Sequence, residues 1–292
     1  MTTIIDGRKR SSELLRHYRE VIENLKDAGV QPKLVVITVG EDEASKVYVG
    51  QKEKKAHQVG MDFEWVTLPE TTQQKELDQL ITQLNQDPSV SGMIVQLPLP
   101  KHLNEMHVKT QIEPLKDVDG FHPYNIGRMV SNDATVIPCT PKGILNLLEH
   151  YQINPSGKNI TIVGRSQIVG LPLSILLTHL NGTVTVCHTR TPNMKFYTQQ
   201  SDIVISAAGV EGMITADHIK EGAVVIDVGI NRRTDGKLAG DVLFDEVSAK
   251  ASAITPVPGG VGPMTVAMLM EQTIVCACIQ HDLDPQEFLG RD

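Results

Sequence analysis

Three residues of one predicted helix carry side chains that could take part in acid and base chemistry. Ser45, Tyr48 and Lys52 lie in EDEASKVYVGQKEKKAHQVG at positions i, i+3 and i+7. A helix would therefore place a hydroxyl, a phenol and an amine on one face. By itself the pattern also fits the solvated face of an amphipathic helix, since two more lysines follow Lys52 and Tyr48 could be partly buried.

Two other polar residues lie where α/β proteins form their sites, beyond the carboxyl ends of strands and in the loops that follow. Gln96 ends the apolar run GMIVQL, and Asp119 lies in KDVDGFHP. If these residues converge with Lys52 and Tyr48 on one cleft, the resulting amine, phenol, amide and carboxylate would suit a polar heterocycle better than a simple keto acid. The sequence does not show whether they converge.

A strand-like run, NITIVG, ends at Gly164 and leads into a helix. That helix must begin near Gly170, because Pro172 is tolerated only in a first turn. Exposed amides at such a turn can bind a pyrophosphate. The sequence G-x-G-x-x-G is absent, and a tight connection can use glycine for steric reasons alone. The turn by itself therefore leaves a nucleotide site open.

The residues around this turn favour NADP over NAD. An NAD site normally has an acidic residue about 20 positions further on, at the end of the next strand, for the ribose 2'-hydroxyl. That strand ends in CHTRT here, and no acidic residue occurs from Arg165 through Gln200. Arg165, Ser166 and Thr189 could instead bind a 2'-phosphate. The alternative is that Arg165 is a solvated surface residue.

These residues need a scaffold of alternating strands and helices. Runs rich in Val and Ile predict strands at 33–40, 62–68 and 90–97, and helices are predicted between them at about 44–59 and 73–86. Later strands are predicted at NITIVG, TVTVCH, DIVISAAG and AVVIDVGIN. The alternation is typical of β-α-β units with a mainly parallel sheet.

The length of 292 residues favours two domains. A helix is predicted to begin in PCTPKGILNLLEHY, where Thr140 can cap and Pro141 suits the first position, and the domain change is placed there. A last helix is predicted from about residue 264. Because it is apolar on most sides it must be covered, and we favour its return to the first domain over a contact with another subunit.

Composition excludes several function classes. The net charge of −8 argues against a nucleic-acid surface. The N-terminus has no apolar core of signal-peptide length, and Glu271 interrupts the most apolar later stretch, so a cytoplasmic protein without a membrane span is expected. The four cysteines are expected to be buried free thiols. The ten histidines form no compact cluster, and no metal site is predicted.

The motifs taken together closely resemble the bifunctional methylenetetrahydrofolate dehydrogenase/methenyltetrahydrofolate cyclohydrolase family. The resemblance covers YVGQKEK, VQLPLP, DVDGFHPYNIGR, PCTPKG, GRSQIVGLPLS, DIVISAAG, VIDVGIN and PVPGGVGPMTVAMLM, in family order along most of the chain. Departures are small. Thr189 stands where many relatives have serine, and DGRKRSSELL differs from the more usual start.

The resemblance implies a catalytic folate-binding domain over 1–140, on which a C-terminal helix from 266–292 packs, and a Rossmann-type NADP-binding domain over 141–265. A folate cleft would lie between them, and homodimers are usual in the family. The implied catalytic residues are Lys52, Tyr48, Gln96 and Asp119. The implied substrate-binding residues are Ser45, Tyr48, Lys52, Val95, Gln96, Leu97, Asp119, Pro258, Gly259, Gly260, Pro263 and Thr265. The implied cofactor-binding residues are Gly164, Arg165, Ser166, Thr189 and Ile230.

The implied reactions are the NADP-dependent oxidation of 5,10-methylenetetrahydrofolate and the hydrolysis of its methenyl product to 10-formyltetrahydrofolate. Lys52 would serve the hydrolysis, held by Gln96 and Tyr48. Two rival functions are a two-domain NADP dehydrogenase of shikimate type and a non-catalytic NADP-binding sensor. Neither rival predicts the formation of NADPH together with 10-formyltetrahydrofolate.

Overall fold

The computed structural model describes residues 2–290. The strands are β1 (Thr3–Ile4), β2 (Lys33–Val39), β3 (Asp62–Leu68), β4 (Gly92–Val95), β5 (Asn159–Val163), β6 (Thr183–Cys187), β7 (Ile203–Ser206), β8 (Val224–Asp227), β9 (Asn231–Arg232), β10 (Leu238–Ala239) and β11 (Ala253–Ile254). The α-helices are α1 (Gly7–Asp27), α2 (Glu43–Val59), α3 (Gln74–Gln86), α4 (Glu105–Gln111), α5 (Pro123–Val130), α6 (Cys139–His150), α7 (Gly170–His179), α8 (Met194–Thr198), α9 (Phe244–Ser248), α10 (Val261–Gln280) and α11 (Pro285–Leu289).

One compact unit, called here the small-sheet unit, contains residues 12–128, 134–139 and the chain from 266 onward. Its sheet has the order β3-β2-β4, and both pairings are parallel. The central strand β2 is an almost continuous buried apolar run, as expected for a strand covered on both faces. Buried side chains of α3, including Leu77 and Ile81, pack against β2 and β4. This core fixes the carboxyl ends of β2 and β4.

The other compact unit, called here the large-sheet unit, contains the chain up to Ser11 and residues 129–133 and 140–265. Its sheet has the order β1-β11-β8-β7-β5-β6 with parallel pairings throughout. Strand β1 joins this sheet through β11, with Ile4 opposite Ile254. The start of the chain therefore belongs to the large-sheet unit. The domain boundaries at 140 and 266 stay a prediction.

The structure confirms the α/β class, the mainly parallel sheets, and the predicted strands and helices between residues 33 and 97 to within a few residues. Two helix starts were wrong. Helix α6 begins at Cys139, so Thr140 lies inside it and its hydroxyl meets that of Thr265 at 3.0 Å instead of capping. Helix α10 begins at Val261, three residues before the predicted start, because Pro263 is tolerated in its first turn.

Helix α10 is long and apolar enough to cross a membrane by length and composition alone. Most of its side chains are buried within the protein, as in the core helix of a globular fold. Its polar residues are bonded internally. Glu271 accepts a hydrogen bond from the hydroxyl of Tyr18, and Gln272 donates to the carbonyl of Val118 at 2.7 Å. The helix therefore packs as an interior element. All four cysteines are buried thiols, as predicted.

Candidate functional site

Lys52 lies on α2 and directs its amine to the end of β4. Its Nζ donates to Oε1 of Gln96 at 2.9 Å. The other end of that amide is also held, because Gln96 Nε2 donates to the carbonyl of Leu97 at 2.9 Å. The Gln96 backbone donates to Ile37 at 2.8 Å, which continues the pairing with β2. The lysine amine is therefore oriented by an acceptor that the sheet itself fixes.

The N-terminus of α2 is capped by Asp42, whose side chain accepts from the Ser45 amide at 2.7 Å. Ser45 is buried and its hydroxyl lies 3.5 Å from the carbonyl of Leu97. Tyr48 is 46% exposed, and its hydroxyl makes no hydrogen bond within residues 2–290. The helix thus presents the expected hydroxyl, phenol and amine, with the phenol open to a ligand.

Asp119 lies in a loop whose backbone is held from both sides. Asp117 accepts from the amide of His122 at 2.7 Å and from Nδ2 of Asn125 at 2.9 Å. On the other side, Gln272 binds the Val118 carbonyl. The Asp119 carboxylate itself has no hydrogen bond or ion pair to any described residue. The loop therefore offers a partly buried acceptor that the protein leaves without a donor.

The electrostatics of Asp119 show which charges surround it. Burial raises the pKa of Asp119 above its ordinary value, while the positive charge of Lys52 opposes that rise. The neighbouring Asp117 raises the pKa further, and Lys109 lowers it. Lys52 and Asp119 are thus close enough to interact without forming an ion pair. The structure thus connects Lys52 to Gln96 and to the charge of Asp119, and it places Ser45 and Tyr48 on the same helix as Lys52. Val95, which is buried, and Leu97, which is partly buried, flank Gln96 in the chain.

This group has a definite chemical capacity. It combines an oriented amine, a phenol and a carboxylate that can accept from a donor-rich ring. An amine held by a single neutral acceptor keeps the freedom to exchange a proton with a ligand, as general acid or base catalysis requires. The part of the chain that the structure describes has no group of three His, Cys, Asp or Glu side chains that could hold a metal ion.

The glycine turn of the large-sheet unit has the predicted form. Strand β5 ends at Val163, and α7 begins at Gly170. Gly164 has φ +124°, and a Cβ there would overlap the carbonyl of Ala207 on the neighbouring chain segment. The Ser166 hydroxyl accepts from the amide of Val169 at 3.2 Å, within the same turn. The geometry is that of a close backbone approach, which suits a phosphate cradle.

Arg165 and Thr189 follow adjacent parallel strands, since β5 pairs with β6 and the Gly164 amide donates to Cys187 at 2.9 Å. Both residues are exposed. The Arg165 guanidinium has no partner among the residues described. Arg190, which our sequence analysis did not select, is also exposed and its side chain is equally free within 2–290. An unpaired cation in a stretch without carboxylates fits a 2'-phosphate.

The remaining predicted site residues also lie in the large-sheet unit. Ile230 follows β8, is 48% exposed and lies against Gly262. The Gly259 carbonyl accepts from the amide of Arg8 at 2.8 Å, and Gly260 packs against Gly7. Pro258 is exposed, while Pro263 and Thr265 are partly exposed in the first turn of α10. The predicted residues therefore form two groups, one in each unit.

Sequence reasoning missed two buried carboxylates in the large-sheet unit, those of Asp227 and Asp241. Asp227 was read only as part of an apolar strand, and Asp241 was not singled out. One signal was available, since both lie within or beside glycine-containing segments, DVGIN and AGDV.

Two family models match the chain. The model of the tetrahydrofolate dehydrogenase/cyclohydrolase catalytic domain matches residues 5–119, and that of the tetrahydrofolate dehydrogenase/cyclohydrolase NAD(P)-binding domain matches residues 138–281. A curated relative, bifunctional protein FolD of Ligilactobacillus salivarius, is 52% identical over 95% of this chain and 97% of its own length.

Two solved structures of enzymes with the same two activities are similar to this chain. The bifunctional FolD methylenetetrahydrofolate dehydrogenase/cyclohydrolase of Campylobacter jejuni has a TM-score of 0.94 and 45% identity, covering 95% of this chain and 99% of its own. The methylenetetrahydrofolate dehydrogenase-cyclohydrolase of Trypanosoma brucei, solved with NADP and an inhibitor, has a TM-score of 0.90 and 36% identity, covering 94% and 97%.

Proposed function

The chain belongs to the tetrahydrofolate dehydrogenase/cyclohydrolase family, and from this premise we propose how its residues divide the work of two consecutive reactions. The protein oxidises 5,10-methylenetetrahydrofolate with NADP and hydrolyses the 5,10-methenyl product to 10-formyltetrahydrofolate. The observation that carries the division is the Lys52 amine, held at 2.9 Å by Gln96 beside a carboxylate that has no protein donor.

The oxidation requires little acid or base catalysis from the protein. When bound, NADP would supply the hydride acceptor for the one-carbon bridge of the folate. The folate nitrogens supply the electrons that stabilise the methenyl cation, so the residues of this chain need only align the ring and exclude water. In this proposal Arg165, Ser166 and Thr189 bind the 2'-phosphate, with Arg190 as a second positive charge. Gly164 and Ile230 line the same site.

The hydrolysis does need proton transfers, because water must lose a proton as it attacks and a ring nitrogen must gain one as it departs. Lys52 is assigned both transfers. Gln96 and Tyr48 keep the amine directed at the bridge. The positive charge of the bound methenyl group favours the neutral form of an adjacent amine, which is the form that can accept a proton.

Asp119 is assigned to the pterin ring, whose amino and ring N–H groups would supply the donors that the carboxylate lacks in the protein. Ser45, Val95 and Leu97 would complete the pocket wall from the small-sheet unit. The folate contacts assigned to the large-sheet unit are those of Pro258, Gly259, Gly260, Pro263 and Thr265. A carboxylate paired with several donors of one ring gives orientation as well as affinity.

The proposal extends to the context of the enzyme. Residues 1–140 with the chain from 266 onward act as the folate domain and 141–265 as the NADP domain. The protein works as a homodimer in the cytoplasm, and the net charge of −8 leaves nucleic acid out of its partners. Analytical ultracentrifugation of the purified protein would measure the oligomeric state.

The function is tested by incubating the purified protein with 5,10-methylenetetrahydrofolate and NADP. We expect NADPH and 10-formyltetrahydrofolate in equal amounts once any methenyl product has been consumed. NADPH with methenyltetrahydrofolate as the final product would remove the hydrolase activity from the proposal. The absence of NADPH would remove both activities.

A further inference from the structure

Two aspartates of the large-sheet unit are buried and have no cationic partner among residues 2–290. Asp227, the last residue of β8, is 3% exposed, and Asp241, just after β10, is 0% exposed. Within residues 2–290 their hydrogen-bond donors are backbone amides, one hydroxyl and one carboxamide. A buried carboxylate is costly unless it is well supplied with donors. Their retention in the interior therefore calls for an explanation from their contacts.

Asp241 accepts hydrogen bonds from the loop that follows β7. Its Oδ2 accepts from the amides of Ala208 at 2.7 Å and Gly209 at 3.1 Å, and its Oδ1 accepts from the amide of Val210 at 2.9 Å. Three successive amides thus point at one carboxylate. The Ser206 hydroxyl donates to the same Oδ2 at 3.0 Å. The loop after β7 takes its shape from this anion.

The same carboxylate reaches the loop that follows β8. Asn231 Nδ2 donates to Oδ1 of Asp241 at 3.1 Å. Asp227 completes the connection, since its Oδ1 accepts from the amides of Gly229 at 2.9 Å and Asp241 at 3.0 Å. Its Oδ2 accepts from Val242 at 3.0 Å. Asp241 therefore holds the two loops together, and Asp227 holds the backbone of Asp241.

The backbone approaches both carboxylates closely at two glycines. A Cβ at Gly229 would overlap the carboxylate of Asp241, and a Cβ at Gly240 would overlap that of Asp227. The Asp227 amide is itself anchored, donating to the Thr255 hydroxyl at 2.7 Å. These contacts fix both loops at their buried side, so their exposed side is held in one shape.

The two loops that Asp241 and Asp227 hold lie at the edge of the sheet where a ligand is expected. Both follow the carboxyl ends of adjacent parallel strands, where open α/β sheets bind their ligands. Ile230 lies in the second loop, between Gly229 and Asn231, and is half exposed. We propose that Asp241, supported by Asp227, is a positioning residue that sets the two loops for the cofactor. This inference rests on the proposed NADP site.

The test compares Asp241→Asn with Asp202→Asn in the full-length protein. Asn keeps the size of the side chain but replaces one acceptor by a donor, so at least one loop amide loses its partner. Asp202 is the matched control, because it is a carboxylate of the same unit, paired with Lys220 at 2.6 Å and bonded to the amide of Asn159 at 2.8 Å. Those contacts lie at the amino ends of the strands, opposite the loops.

Isothermal titration would give the affinities for NADP and, separately, for folate, and hydrogen exchange would follow amides 208–210. We expect Asp241→Asn to weaken NADP binding at least about tenfold, to speed exchange at those amides, and to leave folate affinity within about twofold of wild type. Asp202→Asn is expected to keep wild-type NADP affinity. Equal NADP affinity in Asp241→Asn and wild type, or equal loss in both variants, would overturn the proposal.

A second variant keeps the test decisive if Asp241→Asn does not fold. Asn231→Ala removes only the side-chain donor beside Ile230, and it is expected to raise the dissociation constant for NADP a few-fold with folate binding unchanged. Unchanged NADP affinity in that case would overturn the proposal. Failure of the proposed function is distinguishable, because a wild-type protein that does not bind NADP at all would refute the cofactor site itself.

Discussion

Charged candidate site residues that have no partner among the described residues differ in sign between the small-sheet and large-sheet units. In the small-sheet unit this residue is Asp119, whose carboxylate is partly buried beside the Lys52–Gln96 pair. In the large-sheet unit these residues are Arg165 and Arg190, whose guanidinium ions are exposed at the ends of adjacent strands. We propose that each set binds a different ligand, a donor-rich ring in one case and a phosphate in the other.

Asp241 differs from Asp119 in the number of hydrogen-bond donors that the protein gives its carboxylate. It is fully buried, whereas Asp119 is partly buried, and it accepts five hydrogen bonds from its own protein. A saturated carboxylate of this kind shapes the chain, whereas one without donors is available to a ligand. Burial alone therefore does not identify a ligand-binding group. The number of protein donors that the group already has is the better guide.

Among the substitutions in the two units, the largest loss of activity is expected at Lys52. Lys52→Met keeps much of the apolar stem and removes the amine, so cyclohydrolase activity should fall by roughly 10² to 10⁴. Dehydrogenase activity should fall much less, because hydride transfer needs no protein acid or base, and methenyltetrahydrofolate should accumulate. The ratio of the two rates in one preparation is the measurement.

Lys54→Met is the matched control for Lys52, since Lys54 is exposed on the same helix and has no partner among the described residues. It should retain both activities. Equal loss of both activities in Lys52→Met would place the lysine in folate binding. Loss of neither would return it to the solvated face of α2.

The next effect is expected at Asp119. Asp119→Ala removes the acceptor proposed for the pterin, and a hydrogen bond to a charged group contributes about 1.5 to 3 kcal/mol, so folate affinity should fall about 10- to 150-fold. Both activities should fall together, because both use the same bound ring, while NADP binding should survive. Fluorescence or calorimetric titration with folate measures this. Unchanged folate affinity would make Asp119 a structural residue.

Arg165→Ala tests the opposite charge. Affinity for NADP should fall by up to about 100-fold, and affinity for NAD should change little, because only NADP carries the 2'-phosphate. Arg16→Ala, which removes an exposed arginine from α1, is the control and should bind both cofactors as the wild type does. An equal loss of affinity for NADP and NAD would contradict the role of Arg165 in choosing between them.

The smallest effect concerns stability and pH. Burial raises the pKa of Asp227 to about 6, and the nearby negative charge of Asp241 adds to the rise. Since the native pKa lies above the unfolded one, the stability contributed by protonated Asp227 is full below about pH 4 and is lost as pH rises through about 6. Between pH 5 and pH 7 this loss amounts to about 1 kcal/mol.

Denaturant unfolding of the wild type and Asp227→Asn at both pH values would measure this change in the free energy of unfolding. Between pH 5 and pH 7 the free energy of unfolding of the wild type should fall by about 1 kcal/mol more than that of the variant, because the variant has no titrating group at this position. The same change in both proteins would show that Asp227 does not titrate in this range.

Local patterns predicted the framework well but not its long-range pairings. Strands β2 and β3 and helix α2 follow from apolar runs and their alternation with helical stretches, and the turn from Gly164 to Gly170 follows from its glycines and Pro172. Strand β1 has only two residues and exists through its pairing with β11, about 250 positions away. Nothing in the local sequence specifies such a pairing.

The sequence selects the candidate site residues but does not give their geometry. The spacing of Ser45, Tyr48 and Lys52 indicates one helical face, but the distance from Lys52 to Gln96 depends on how α2 packs beside β4. The absence of a donor for Asp119 is likewise a tertiary property. Asp227 and Asp241 were missed because a buried aspartate looks like a surface one until its donors are seen.

We propose that the two units recognise two ligands through site residues of opposite charge. A crossed titration tests this division, with folate and NADP each titrated separately into Asp119→Ala and Arg165→Ala. We expect Asp119→Ala to lose folate affinity and keep NADP affinity, and Arg165→Ala to do the reverse. Loss of both affinities in either variant, or of neither in both, would contradict it.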